Sequence, residues 1–115
     1  MTLVDTSTWI DHFRHRNPAL GTALTEGQVG LHPFVIGELI LGTLPQRSVT
    51  LRLLSTLPCL VPSTHADVVA FVERHGLVGA GIGWVDVHLL CAAQQAGWDL
   101  WTHDRRVRAV VTRIG

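Results

Sequence analysis

Short apolar runs alternate along this chain with longer segments in which apolar residues recur every three or four positions. The short runs predict buried strands and the longer segments predict amphipathic helices. Strands are predicted at 2–5, 29–32 and 100–102, with an ambiguous fourth at 59–61. Helices are predicted at 6–16, 18–25, 34–41, 47–57, 64–74, 84–96 and 105–111. This alternation predicts one α/β domain over residues 1–115, with helices around a central, mainly parallel sheet.

Composition narrows the possible chemistry. With 115 residues, 47% hydrophobic and 16% charged, the chain is long enough for one packed domain and too apolar for a disordered one. All nine cations are Arg, which excludes Schiff-base and Walker-type lysine chemistry. The N-terminus has no basic leader, and no apolar run approaches the length of a membrane span. We therefore expect a cytoplasmic protein without membrane contact.

Four of the nine acids lack a simple structural explanation. The other five suit helix starts, turns or exposed helix faces: Asp11, Glu26, Asp67, Glu73 and Asp99. Asp5 and Asp104 each follow a predicted strand and precede a helix, so both belong at the carboxyl ends of parallel strands, where α/β sheets bind ligands. Glu38 and Asp86 each interrupt an otherwise apolar helix.

An unpaired carboxylate in apolar surroundings is unstable unless it finds a cation, takes up a proton or faces water. If the four acids converge, only a divalent ion would relieve their repulsion, and Mg²⁺ or Mn²⁺ suits a shell of carboxylate and water oxygens. The pattern leaves an alternative open, in which each acid caps a helix or pairs with an Arg.

At these acids the sequence resembles a PIN-domain ribonuclease of the VapC toxin type, with a three-layer α/β/α fold. The resemblance covers the whole chain through Leu3-Val4-Asp5-Thr6-Ser7-Thr8-Trp9-Ile10, the helix of Glu38, Gly81-Ile82-Gly83-Trp84-Val85-Asp86 and Leu100-Trp101-Thr102-His103-Asp104. It implies that Asp5, Glu38, Asp86 and Asp104 are the catalytic acids and share a Mg²⁺ or Mn²⁺ site.

The resemblance also implies supporting residues. Ser7 and Thr102 match hydroxyl positions that orient carboxylates or waters. A helix cap for Ser7 and a plain strand position for Thr102 remain open alternatives. The family often has Asn where this chain has His103, whose imidazole could contact a substrate phosphate or face solvent.

The implied activity is metal-dependent hydrolysis of RNA, with tRNA or rRNA as possible substrates. Water would attack a phosphodiester in line and leave 5′-phosphate and 3′-hydroxyl ends. Members of the family form homodimers and are inhibited by a cognate VapB-type antitoxin. The high apolar fraction is compatible with both interfaces.

RNA contacts are expected from basic and aromatic side chains. Outside the four acids, nine Arg face five carboxylates, so the neutral total does not argue against RNA. The expected phosphate contacts are Arg14, Arg105, Arg106 and Arg108, each of which could instead be simply solvated. Trp84 could stack on an unpaired base or belong to the core.

Three other functions share features with this sequence. A haloacid-dehalogenase-like phosphatase needs a second Asp two residues after the first and a Lys, and a receiver domain needs a Lys, so neither fits. A catalytically inactive PIN-like module that binds protein or RNA remains an alternative. An Asp5→Asn variant separates it from an enzyme, because only an enzyme would lose an activity.

Overall fold

Three short parallel strands form the centre of the molecule. The computed structural model describes residues 1–115, all of the chain. The strands are β1 (Thr2–Val4), β2 (Val29–Gly30) and β3 (Asp99–Trp101), in the order β2-β1-β3 with every pair parallel. Because β1 pairs directly with β3, the first and last strands of the chain end side by side.

Seven helices surround the sheet, and each overlaps one of the seven predicted helices, with ends that differ from the prediction by up to three residues. They are α1 (Thr6–His15), α2 (Pro18–Thr25), α3 (Pro33–Leu41), α4 (Arg47–Leu54), α5 (His65–His75), α6 (Trp84–Ala96) and α7 (Arg105–Ile114). Six of them start within one residue of a Pro, Thr, Asp, Asn or Gly typical of helix N-termini. None of the helices combines the length and hydrophobicity needed to cross a membrane.

Helices cover both faces of the sheet. Leu3 and Val4 are both fully buried, although successive strand residues point to opposite faces. The core has two hydrophobic clusters: Leu3 and Val4 both belong to the larger one, and α6 contributes to both, with Leu89 in the larger and Leu90 in the smaller. This arrangement is the three-layer α/β/α fold that the sequence predicts.

The strands are shorter than predicted. The segment at 59–61 forms only a single bridge, between Leu31 and Cys59, and Pro58 before it has no N–H to extend the pairing. β2 stops at Gly30 because His32 already caps α3, its Nδ1 accepting a hydrogen bond from the Phe34 N–H at 3.0 Å.

Helix α4 ends three residues before the predicted position. The Ser55 and Thr56 hydroxyls donate to the carbonyls of Arg52 and Leu53, at 2.6 and 2.7 Å, in place of helix continuation. Pro58 then disfavours a helical conformation for the residue before it.

Candidate active site

The site lies where β1 and β3 end. The Asp5 N–H donates to the Trp101 carbonyl at 3.0 Å, which extends the pairing of the two strands by one step. The chain then turns from β1 into α1 and from β3 into α7, so that both helices begin at the same edge of the sheet. The residues at these two turns are Asp5 and Thr102 to Asp104.

Asp5 is buried and is held by the helix that it starts. Its side chain is the N-cap of α1, with Oδ1 accepting hydrogen bonds from the Thr8 N–H at 3.0 Å and from the Ser7 hydroxyl at 2.7 Å. Ser7 is therefore not the cap. It lies against the Asp5 carboxylate, and its Oγ also accepts a hydrogen bond from the His103 N–H at 3.0 Å.

Asp104 occupies the corresponding position at the start of α7. Its Oδ1 accepts hydrogen bonds from the N–H groups of Arg106 and Val107, at 2.9 and 3.0 Å. Thr102 lies beyond the end of β3 and is buried, and its hydroxyl accepts a hydrogen bond from the Asp104 N–H at 3.0 Å. Thr102 thus holds the main chain of Asp104, whereas Ser7 holds the carboxylate of Asp5.

Asp86 lies in the first turn of α6 and is the most perturbed acid of the chain. Burial is the main cause that raises the pKa of the Asp86 carboxyl. A hydrogen bond from the Gly83 N–H to Oδ2, at 3.1 Å, opposes this change. The negative charges of Asp104, Asp5 and Glu38 raise the pKa further. The other three predicted acids therefore lie close enough to act electrostatically on Asp86.

Glu38 reaches the site from α3. Its Oε1 accepts a hydrogen bond from the Thr6 hydroxyl at 2.7 Å, so the first residue of α1 orients it. Unlike the buried Asp5, Glu38 is exposed to solvent. It shares a cavity of about 220 Å³ with Arg14, one of the predicted RNA contacts.

Each of the four carboxylates keeps one oxygen without a hydrogen bond from the protein. These free oxygens are Oδ2 of Asp5, Oε2 of Glu38, Oδ1 of Asp86 and Oδ2 of Asp104. No Arg or His forms an ion pair with any of the four acids. The two ion pairs of the molecule both involve Asp11. Helix capping thus uses only one of the two oxygens of Asp5 and of Asp104. The negative charges of the four acids are not compensated by ion pairs.

The donor set suits a hard divalent cation. Carboxylate oxygens are the ligands that Mg²⁺ and Mn²⁺ prefer, and four uncompensated acids gain most from such an ion. In the positions shown, no three His, Cys, Asp or Glu side chains form a group that could hold a metal ion. Charges act over longer distances than coordination bonds do. The acids can therefore influence the pKa of Asp86 without being close enough to form a ready-made metal site.

The predicted RNA contacts lie in different surroundings. Arg105 and Arg106 are exposed in the first turn of α7, beside Asp104, and Arg106 Nη1 also donates to the Gly81 carbonyl at 3.3 Å. Arg108 instead lines a cavity of about 410 Å³ that runs along β3 from Asp99 to Thr102.

Trp84 is not a core residue, since it is 46% exposed. It lies in the first turn of α6, two residues before Asp86. Its ring packs against His65 and against His88, with centroid distances of 5.4 and 5.1 Å.

Three contacts of the site escape sequence reasoning. Thr6 orients Glu38, and Thr8 and Asp11 both contact the His103 imidazole. The signal available in the sequence is the spacing of Ser7, Thr8 and Asp11, which places all three on one side of a helix. Their partner lies more than ninety residues away and has no local signal.

Comparisons with known proteins identify the family of the chain. No family model matches the chain. It is 43% identical over 116 residues to Ribonuclease VapC32 of Mycobacterium tuberculosis, from strains CDC 1551 and H37Rv, covering 100% of this chain and 94% of the relatives. The crystal structure of PAE2754 from Pyrobaculum aerophilum matches with a TM-score of 0.64 at 18% identity, covering 95% of this chain and 78% of that one. This structural match supports a PIN-like α/β fold. With an identity of 43% over its whole length, the chain belongs to the VapC family of ribonucleases.

Proposed function

We propose that this protein is a Mg²⁺- or Mn²⁺-dependent endoribonuclease toxin, in which Asp5, Glu38, Asp86 and Asp104 hold the metal. The observation that carries the proposal is the set of four carboxylate oxygens that receive no hydrogen bond, on acids that form no ion pair. The relatives named Ribonuclease VapC32 support the ribonuclease activity. Its site of action is then the cytoplasm, where RNA is present.

The chain's own residues fix the geometry of this reaction. Ser7 and the N-terminus of α1 hold Asp5, Thr6 holds Glu38, and the N-terminus of α7 holds Asp104. A divalent cation held by the free oxygens of these acids would lower the pKa of water and would neutralise charge on a phosphodiester. A carboxylate oxygen that is not bound to the cation would orient the attacking water by accepting its hydrogen bond. In-line attack forms a bond between the water oxygen and phosphorus and breaks the bond between phosphorus and the 3′ oxygen. The attacking water gives up a proton to solvent and the 3′ oxygen takes one up from solvent, so the products end in a 5′-phosphate and a 3′-hydroxyl.

RNA would approach over the exposed N-termini of α6 and α7. Arg105 and Arg106 lie directly after Asp104 and suit backbone phosphates on either side of the scissile bond. Arg14 would serve the strand beside Glu38, and the exposed ring of Trp84 would stack on an unpaired base. Arg108 is the least supported of these contacts, because it lines the cavity along β3 and not the N-termini of α6 and α7.

A protein partner fits the surface of α3 and α4. Exposed apolar side chains on these helices are Ile40, Leu41, Val49 and Leu53, and Leu41 is 89% exposed. Contiguous exposed apolar groups mark protein-binding surfaces. We therefore retain a VapB-type antitoxin and a second copy of the chain as the partners of this toxin.

The test incubates antitoxin-free protein with total RNA and tRNA in Mg²⁺, in Mn²⁺ and in EDTA. Asp5→Asn is prepared in parallel, because Asn caps helices about as well as Asp and so spares the fold. Asp67→Asn, which changes an exposed acid on α5, is the matched control.

Metal-dependent cleavage at discrete sites by wild type and Asp67→Asn, absent in Asp5→Asn, supports the proposal. Equal cleavage by all three proteins would refute the role of the acids. If none of the folded proteins cleaves RNA in any metal, the inactive binding module becomes the better reading.

A further inference from the structure

His103 is held by α1 at three points. Its N–H donates to the Ser7 hydroxyl at 3.0 Å, its Nδ1 is 2.9 Å from Thr8 Oγ1, and its Nε2 is 3.5 Å from Asp11 Oδ2. We call these contacts the His103 network. Both ring nitrogens face side chains of α1, so contacts with this helix orient the imidazole, and 43% of the His103 side chain stays exposed to solvent.

The partners of His103 are themselves fixed. Thr8 is fully buried, and its hydroxyl lies 3.2 Å from the Trp101 carbonyl and 2.9 Å from His103 Nδ1. A neutral imidazole that points its Nε2–H at Asp11 accepts a hydrogen bond from this hydroxyl at Nδ1. The Asp11 carboxylate is contacted on one side by His15 Nδ1 at 3.3 Å and on the other by Asn17 Nδ2 at 3.5 Å. Two side chains with little freedom therefore hold the ring in one orientation.

His103 stands between two of the proposed catalytic acids. It directly precedes Asp104 in the chain. Its N–H donates to the same Ser7 hydroxyl that donates to Asp5 Oδ1. A displacement of His103 would thus be transmitted to Asp104 through the main chain and to Asp5 through Ser7.

We propose that His103 is a positioning residue that ties the loop after β3 to α1 and so fixes the separation of the Asp5 and Asp104 carboxylates. The proposal rests on the proposed function, in which these acids share a metal. It gives Asp11 a role as well, as the residue that holds the far side of the imidazole. Supporting residues of this kind typically contribute about 10- to 100-fold in metal affinity or activity.

The test uses His103→Phe, which keeps a ring and removes both polar contacts of the side chain. Asp11→Ala removes one contact from the other side, and the double variant His103→Phe/Asp11→Ala tests whether the two act together. His15→Phe is the matched control, because His15 also contacts Asp11 but lies on the exposed side of α1, away from the loop. Turnover of RNA, its KM and the affinity for Mn²⁺ are measured for each protein.

We expect His103→Phe to lower kcat and Mn²⁺ affinity by about tenfold or more and to change KM less than about twofold. Asp11→Ala should lower the same two quantities, and the double variant should lose no more than His103→Phe alone. His15→Phe should resemble the wild type. If His103→Phe does not fold, Asp11→Ala carries the test from the other side of the contact.

Wild-type kcat and Mn²⁺ affinity in His103→Phe would overturn the proposal while leaving the proposed function intact. A rise in KM at unchanged kcat would also overturn it, because His103 would then be an RNA contact. If the wild type neither binds Mn²⁺ nor cleaves RNA, the proposed function itself fails, and the positioning role fails with it.

Discussion

At the scale of single residues, three of the four acids use one carboxylate oxygen for a hydrogen bond at a helix start and keep the other oxygen free. Asp5 and Asp104 use one oxygen to cap a helix, Asp86 uses one in the first turn of α6, and the second oxygen of each stays free. Asn can replace such a carboxylate in the cap but brings no negative charge. Substitution by Asn therefore separates the structural role from the proposed chemical one.

Asp86→Asn should stabilise the protein at neutral pH in EDTA. The pKa of Asp86 is raised above its ordinary value of 3.8, so the folded state holds this proton more tightly than the unfolded chain. Stability then falls as pH rises from about 4 through the raised pKa, and the variant avoids this loss. Thermal melting of both proteins from pH 3 to pH 8 should show a difference that appears only above about pH 4.

The matched control is Asp67→Asn, which changes the third residue of α5 as Asp86→Asn changes the third residue of α6. Asp67 is exposed, and its substitution should leave melting nearly unchanged. A lower melting temperature for Asp86→Asn than for wild type in EDTA at neutral pH would contradict the raised pKa of Asp86.

His32 predicts an acid-sensitive step in stability. Burial, and secondarily the charge of His88, lowers the pKa of His32 from 6.5 to about 4. The unfolded chain therefore binds this proton first, so the stability contributed by neutral His32 is complete above pH 6.5 and is lost as pH falls toward 4. The full difference corresponds to at most about 3 kcal/mol.

Urea unfolding of wild type and His32→Asn at pH 7 and pH 5 measures this loss. Asn keeps a capping side chain at the start of α3 and does not titrate. Wild type should lose more stability between the two pH values than His32→Asn does. Equal losses would show that His32 does not carry the pH dependence.

The sequence predicts those site residues whose roles depend on neighbouring positions in the chain. Asp5 and Asp104 are predictable because a strand that runs into a helix places its connecting acid at the sheet edge. The contact of Asp11 with His103 is not predictable, because Asp11 has a plausible local partner in His15, four residues away. Asp11 contacts both His15 and His103. A local partner does not exclude a distant one.

At the scale of elements, helices are more predictable than strands. A helix carries its own hydrogen bonds and its own cap, as with Thr64, whose Oγ1 accepts from the Asp67 N–H at 3.1 Å. The strands here are two or three residues long, and their ends depend on partners far along the chain. This dependence is why β2 and the segment at 59–61 are shorter than their apolar patterns predict.

Two glycine substitutions should have opposite effects on stability. A methyl group at Gly30 in β2 would overlap the Trp98 ring, whereas one at Gly21 in α2 would meet nothing within 4 Å. Gly21→Ala should stabilise by about 0.5–1 kcal/mol, because Ala has less conformational freedom to lose in a helix. Gly30→Ala should destabilise by about 1–3 kcal/mol through overpacking.

Urea unfolding of wild type and of both variants measures the two changes in the free energy of unfolding. If Gly30→Ala is as stable as wild type, the close packing of Trp98 against β2 is wrong. If Gly21→Ala is destabilising, the open environment of α2 is wrong.

At the scale of the whole molecule, the neutral net charge conceals an uneven distribution. Four of the nine acids gather at one edge of the sheet, and the nine Arg residues lie outside ion pairs with them. The pairing of the first strand with the last brings Asp5 and Asp104 to this edge. The charge separation and the site therefore both follow from the topology.

Mn²⁺ should raise the melting temperature of the whole protein. An ion that binds only the folded state stabilises it by about 2.7 kcal/mol at 100 times its Kd, which for a domain of this size is roughly 10 °C or more. Asp104→Asn should blunt the rise while keeping the cap of α7. Melting curves that coincide in Mn²⁺ and in EDTA would contradict a clustered metal site.

The most direct test of the shared metal site is anomalous diffraction from crystals grown with Mn²⁺, recorded on both sides of the manganese absorption edge. We predict one or more peaks with ligand distances of about 2.0–2.6 Å to the free oxygens of Asp5, Asp86 and Asp104, with Glu38 directly or through water. The result that would contradict this account is an empty carboxylate cluster, or a peak at Asp11, His15 and His103 instead.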